Sequence, residues 1–407
     1  MPTYTWPGVY VEEVPSAVKP IAGVGTSTAA FIGVSADITR PWDPAKKTGM
    51  PANAGGGAYP QAAALTPKPV NSWTEFTQNF GDIQDANRYL AHSVFGFFNN
   101  GGTRCWVTRI GAPGDELDQA LQHLESIDEV AIVAAPLPPD VAAEALNAAQ
   151  AALIAHCERM EDRVAILDSG RDIANDNLVI TTDATGIWRP AANPKGYGAF
   201  YFPWILVADP LGQPGDRVAV PPSGHLAGIY ARSDSERGVH KAPANEVILG
   251  ALDVRYPVSK ILQGTLNPLG VNCIRSFTGT IKVYGARSLA SDPAGDPEWT
   301  YVSVRRLVNF LRESIEAGTQ WVVFEPNAAD LWSKIRRNVS AFLNSEWAAG
   351  ALVGATPEQA FYVVCDETTN PADVRALGQV VTEIGVALVR PAEFVVFRLS
   401  QWAGPAQ

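Results

Sequence analysis

The chain has 407 residues, 46% of them apolar and only 18% charged, with a formal net charge of -11. This composition excludes a disordered polymer and leaves room for two or three domains with well-buried cores. The acidic balance excludes a protein held on nucleic acid by counterion release.

The N-terminal run Tyr4-Thr5-Trp6-Pro7-Gly8-Val9-Tyr10-Val11-Glu12-Glu13-Val14-Pro15 is β-branched and aromatic between prolines, and reads as a strand with no partner nearby in sequence. Pro15, Pro20 and Gly23 follow as hinge candidates. Ser27–Val34 reads as a buried strand. The Pro, Gly and Ala stretch from 37 to 71 is a surface insertion or an interface loop, because so long an irregular run is unusual inside a compact domain. Leu90, Val94, Phe97 and Phe98 form a helical stripe, and Cys105–Ile110 a strand.

From Gly111 the pattern alternates β and α. Val130–Ala134, Val164–Leu167 and Trp204–Val207 are near-continuous apolar runs, as expected of strands covered on both faces. In the last third, a helix carries Val304, Leu307, Val308, Leu311 and Ile315, and Trp321–Phe324 reads as a strand. A second helix carries Leu331, Ile335, Val339, Phe342 and Leu343, followed by the strand Phe361–Val364. Asn370-Pro371 opens a third helix that buries Val374, Leu377, Val381 and Ile384. The chain closes on Glu393–Ser400, where Val395, Phe397 and Leu399 share one face and Arg398 and Ser400 the other.

The fold class is therefore α/β followed by α+β, with extended strand arms at both ends. The expected divisions are an arm at 1–22, a first core segment at 23–110, an α/β domain at 111–285, an α+β domain at 286–390 and an arm at 391–407. Two strands whose N–H and C=O groups lack local partners mark a chain either closed on itself or built to join its neighbours, and the apolar, charge-poor composition favours the second.

Candidate chemistry is sparse. Asp168, at the end of a buried strand, and His225 in Ser223-Gly224-His225-Leu226-Ala227-Gly228 follow the order of the acid and base segments of subtilisin-like peptidases. No serine on a tight turn at a helix start follows His225, so catalysis is not expected. A hydrolase and a cofactor-binding α/β module stay as alternatives. Gly23-Val24-Gly25-Thr26-Ser27-Thr28 lacks the third glycine and the Lys-Ser/Thr pair of a phosphate cradle, and precedes a strand; it reads as a linker hinge. His92, His123, His156, His225 and His240 have no ligand spacing, and Cys105, Cys157, Cys273 and Cys365 are isolated, so neither metal, cofactor nor disulfide framework is expected. Lys334, Arg336 and Arg337 form a basic cluster on the helix from about 329 to 349, a docking face for an acidic partner or simply a solvated face. The N-terminus shows no secretory pattern and no run approaches the ~20 apolar residues of a membrane span, so folding in the cytoplasm is expected.

From Tyr201 onward the chain resembles contractile tail sheath proteins at many points. They include Tyr201-Phe202-Pro203-Trp204, Val220-Pro221-Pro222-Ser223-Gly224, Gly238–Asn245, Tyr284-Gly285-Ala286-Arg287-Ser288-Leu289, Phe324-Glu325-Pro326-Asn327 and Arg390-Pro391-Ala392-Glu393-Phe394. Pro7-Gly8-Val9-Tyr10-Val11-Glu12-Glu13 is similar to that family's opening. The resemblance implies a sheath subunit of a phage tail, an R-type bacteriocin or an extracellular contractile injection system. Its middle region would be subtilisin-like without peptidase activity. It implies stacked hexameric rings around an inner tube, with baseplate and terminator or cap proteins as further partners, and neither nucleic-acid binding nor membrane insertion. Assembly would take place in the bacterial cytoplasm, with extracellular release left open. It further implies that arms of different subunits enter one small intersubunit sheet. Val9, Tyr10, Val11, Glu12, Phe394, Val395, Val396, Phe397 and Leu399 would carry that exchange, and Lys334, Arg336 and Arg337 would face the tube.

Overall fold

The structure is a computed structural model that describes residues 20–55, 57–172, 189–291 and 297–397. Val9, Tyr10, Val11, Glu12, Pro15 and Leu399 lie outside the described residues. The chain divides into two compact units, one of Val24–Arg312 with 388–397, the other of Glu313–Ala387 with 20–23.

The larger unit contains β1 (Ala29–Val34), β2 (Lys68–Val70), β3 (Cys105–Ile110), β4 (Ile132–Ala134), β5 (Val164–Asp168), β6 (Gly198–Phe202), β7 (Ile205–Ala208), β8 (Arg217–Val220), β9 (Glu246–Val247), β10 (Asp253–Val254), β11 (Val271–Phe277) and β12 (Thr280–Val283). Its helices are α1 (Trp73–Phe80), α2 (Arg88–Asn99), α3 (Asp115–Leu124), α4 (Ala143–Met160), α5 (Ser223–Arg237), α6 (Lys260–Leu266) and the first part of α7 (Val302–Thr319).

Nine strands form one sheet in the order β2-β3-β1-β4-β5-β6-β11-β12-β9. The run from β3 to β11 is parallel, and β2, β12 and β9 are antiparallel additions at its edges. Successive side chains of a strand point to opposite faces, so a sheet with helices on both sides needs apolar residues at every position. β5 meets that requirement: Val164 and Ile166 join the core under α2 and α5, while Ala165 and Leu167 join the core under α3 and α4.

The apolar run Trp204–Val207 does not supply a strand of this sheet. Ile205–Ala208 pairs antiparallel with β8 and β10 in a separate three-stranded sheet, and the parallel position is taken by Gly198–Phe202, buried along its whole length. The stretch from 37 to 71 is largely irregular but tethered, and it ends in the edge strand β2. Met50 is buried, and the Gln84 side chain holds Gly49 by both its N–H and its C=O.

The smaller unit contains the end of α7, then α8 (Ala329–Ala348), α9 (Pro357–Ala360), β13 (Phe361–Val364), α10 (Ala372–Ala376) and β14 (Glu383–Val386). Leu331, Trp332, Ile335, Val339, Phe342 and Leu343 form the buried stripe of α8. β13 and β14 make an antiparallel pair, with Phe361 opposite Val386 and Val364 opposite Glu383.

Two sequence expectations fail here. Trp321–Phe324 is not a strand: Gln320–Val322 is a single 3-10 turn, and Phe324 sits fully exposed at φ 68, a backbone conformation that ends any ladder. The third helix covers only Ala372–Ala376, Leu377 and Val381 are exposed, and Ile384 belongs to β14. The reason is Asn370. Its side chain does not cap the helix; Nδ2 donates to the carbonyl of Val381 and Oδ1 accepts the Val381 amide, folding the following segment back into a strand.

Candidate functional site

Asp168 ends β5 with its carboxyl buried, and Oδ1 accepts the amide of Ser223, the first residue of α5, at 2.8 Å. The carboxylate therefore occupies a helix N-terminus, where backbone amides lack partners within the helix. Burial pushes this carboxyl up to about 7 against the pull of Ser223.

His225 lies further along α5, wholly buried, and burial beside His92 pulls it down to about 3. Asp168 Oδ2 and His225 Nδ1 each lack a hydrogen-bond partner among the described residues. An imidazole of such low basicity in an apolar slot is poorly matched to general-base work near neutrality. The segment does something else. A Cβ on Gly224 would stand 2.3 Å from the carbonyl oxygen of Ser93, and one on Gly228 would stand 2.4 Å from that of Phe97. The two glycines, one helical turn apart, let α5 lie directly against the backbone of α2. In sequence the motif matches only the order of a peptidase's acid and base segments, without a nucleophile; its Gly-x-x-x-Gly spacing is the signal for close helix packing.

Two features offer unpaired backbone at the surface, an apolar run and a two-stranded sheet. Phe394, Val395, Val396 and Phe397 are 72%, 71%, 76% and 84% exposed and form no ladder with any described strand. β13 and β14 pair only with each other, so each has a free edge among the described residues. Tyr362 lies across its cross-strand neighbour Gly385, and its hydroxyl donates to Glu383 at 2.8 Å. Pro20 and Gly23 are exposed and Val24 half-buried, with the unit division at 23–24.

On α8, Ser333, Arg336, Arg337 and Asn344 are exposed, opposite the apolar stripe. Lys334 pairs with Asp330 one turn earlier, Nζ to Oδ2 2.6 Å. Arg336 Nη1 donates to the Cys365 carbonyl at 3.3 Å, which ties this side chain to its own unit. No helix among the described residues is long and apolar enough to cross a membrane, and no cluster of His, Cys, Asp or Glu there could hold a metal.

Residues 111–289 match the family model of the phage tail sheath protein central domain, and residues 294–401 match that of the phage tail sheath C-terminal domain. The chain belongs to the contractile tail sheath family. Among curated sheath proteins, a prophage major tail sheath protein of Pseudomonas aeruginosa (strain UCBPP-PA14) is 28% identical over 192 residues, covering 45% of this chain and 47% of that protein. The aligned stretches span less than half the length of the curated sheath relatives it matches. Two solved sheaths resemble the whole chain at 26% identity and TM-score 0.74. One is the contracted sheath complex of the extracellular contractile injection system PVC, covering 99% of each chain. The other is the contracted helical sheath of the anti-feeding prophage, covering 98% of this chain and 100% of that one.

Proposed function

We propose that this sheath protein polymerises as stacked hexameric rings around an inner tube and contracts to drive the tube through a target envelope. It would be part of a phage tail or tail-like injection particle, assembled in the bacterial cytoplasm. The observation that carries the reading is the apolar run Phe394–Phe397, exposed and without a strand partner among the described residues, in a chain that also offers a two-stranded sheet with free edges. An arm from one copy completing the small sheet of another satisfies both. Four or five ladder bonds at about 0.5–1.5 kcal/mol each, with Val395 and Phe397 buried, give each junction several kcal/mol. Such junctions keep subunits linked while their bodies exchange one set of side contacts for another.

The role is structural, not enzymatic. Asp168 occupies the N-terminus of α5 and His225 packs closely against α2, an arrangement that supports a scaffold role over the hydrolase alternative. The inner tube, the baseplate and a terminator or cap are the further partners, and the exposed basic residues of α8, Arg337 with Lys334 beside it, would face the tube. The middle of the larger unit would be a subtilisin-like scaffold without its reaction. The extended sheath would be metastable, with contraction releasing stored packing energy.

Deleting residues 394–407 tests the reading. The truncated subunit is expected to keep its thermal midpoint and to form no tubes under negative-stain microscopy. Tubes of ordinary length from the truncated chain would overturn it.

A further inference from the structure

Immediately before the exposed run, one side chain is held far more firmly than its neighbours. The Glu393 carboxylate accepts five hydrogen bonds from three residues. Arg287 reaches it through Nε, at 2.9 Å to Oε1 and 3.1 Å to Oε2, and through Nη2 at 2.7 Å to Oε2. The Tyr301 hydroxyl donates to Oε2 at 2.9 Å, and Asn267 Nδ2 donates to Oε1 at 2.6 Å. Charge-assisted, forked contacts of this kind are the strong class of hydrogen bond.

The grip is wired into the body. The Arg287 backbone is held at both polar groups by the buried Asn272 of β11: its amide donates to Oδ1 at 2.7 Å and its carbonyl accepts from Nδ2 at 2.7 Å. Tyr301 directly precedes α7, and its backbone forms a bridge with Arg287. Burial alone would raise the Glu393 carboxyl, yet Arg287, Asn267 and Tyr301 hold it below the ordinary glutamate range. The four residues after it, 394–397, are all exposed.

We infer that Glu393 anchors the C-terminal arm, the point where pull on the arm enters the subunit body through Arg287, Asn272 and β11. The inference rests on the strand-exchange reading above. It makes Glu393 a positioning residue: it fixes where the arm leaves, and so which neighbour the arm can reach. It also places the compliance of the lattice elsewhere than at the C-terminal root.

The test uses full-length chain carrying Glu393→Ala or Tyr301→Phe, and the charge exchange Arg287→Glu with Glu393→Arg. A nitroxide on Ala392→Cys reads mobility of the arm root in the unassembled subunit; the four native cysteines are buried. Release of the root is expected to rise roughly tenfold to a hundredfold in Glu393→Ala, less in Tyr301→Phe, and to fall back in the charge exchange. Triggered contraction of assembled sheaths should then break Glu393→Ala sheaths into short ring stacks while the subunit's thermal midpoint stays near the parent value. Unbroken contracted sheaths from Glu393→Ala with an unchanged label spectrum would overturn the anchor. If deletion of 394–407 abolishes tubes while Glu393→Ala behaves as the parent, the anchor alone falls. If the deletion leaves tubes intact, the strand-exchange reading falls with it.

Discussion

Arg306 and Asp234 form an ion pair at 2.5 Å, Nη2 to Oδ2, with side chains only 3% and 4% exposed. Thr26 completes it, donating its hydroxyl to Asp234 Oδ2 at 2.5 Å and offering its carbonyl to Arg306 Nη2 at 3.0 Å, and the guanidinium lies over the ring of Tyr230. Asp234→Asn leaves a buried cation half-compensated. It is expected to cost about 3–5 kcal/mol, read as a lower urea midpoint of the unassembled subunit. The pair also ties down Thr26, inside a segment that looked like a linker in sequence. Any swing about Pro20 and Gly23 would have to occur before it.

The crossing of α2 and α5 makes a second prediction. Gly224→Ala and Gly228→Ala each place a methyl group against the α2 backbone, where no side-chain movement relieves it. A loss of about 1–3 kcal/mol is expected for each, with the double variant worse, measured by thermal or urea unfolding.

Stability should fall as the solution is acidified below neutrality. Burial lowers His92 and His156 from 6.5 to about 4 and His225 to about 3. Between pH 6.5 and about 4 the unfolded chain therefore takes up protons that the folded chain refuses, and folding weakens as pH drops. Asp168 acts in the opposite sense. Raised from 3.8 to about 7 by burial, it stabilises the fold below 3.8 and loses that contribution as pH climbs toward 7. Three histidines oppose one aspartate, so the urea midpoint should drop between pH 6.5 and 5, and Asp168→Asn should steepen the drop. A midpoint that holds constant over that range would contradict the assignment.

Strand geometry gives the arm two unequal faces. Val395 and Phe397 share the face expected to be buried on pairing, and Val396 lies on the other. Val395→Asp and Phe397→Asp should abolish tube formation, whereas Val396→Ser should leave it nearly intact. None should alter the subunit's own melting, since all three positions are exposed before assembly.

For the proposed tube face, Lys334→Glu with Arg337→Glu should weaken co-sedimentation of the sheath with its inner tube, and added salt should weaken the parent complex in the same direction. Arg336→Glu should behave differently and lower subunit stability too, because its guanidinium holds the Cys365 carbonyl.

Much of this architecture can be read from periodicity. The strands β1, β4 and β5 are near-continuous apolar runs because both sheet faces are covered, and α8 carries a stripe at helical spacing because it buries one side. The reading broke down where a distant or polar group decided the matter. Leu377 and Val381 continue a helical spacing, but the Asn370 amide turns that segment into the approach to β14. The apolar run Trp204–Val207 reads as a strand of the parallel sheet, but that place is held by Gly198–Phe202, paired with β5 on one side and β11 on the other. Both arms read in sequence as strands without neighbours; the first lies outside the described residues, and 394–397 is exposed and forms no ladder with any described strand. The grip on Glu393 is not legible in sequence, since its partners Asn267, Arg287 and Tyr301 lie 126, 106 and 92 positions away in the chain.

The exposed arm departs from the larger unit, yet the free-edged pair β13–β14 belongs to the smaller one. If each copy gives from one unit and receives in the other, load enters a copy through one unit and leaves it through the other, and the backbone passes between the two at 23–24, 312–313 and 387–388. The middle crossing lies inside α7, so a continuous helix, not a loose linker, spans the division there.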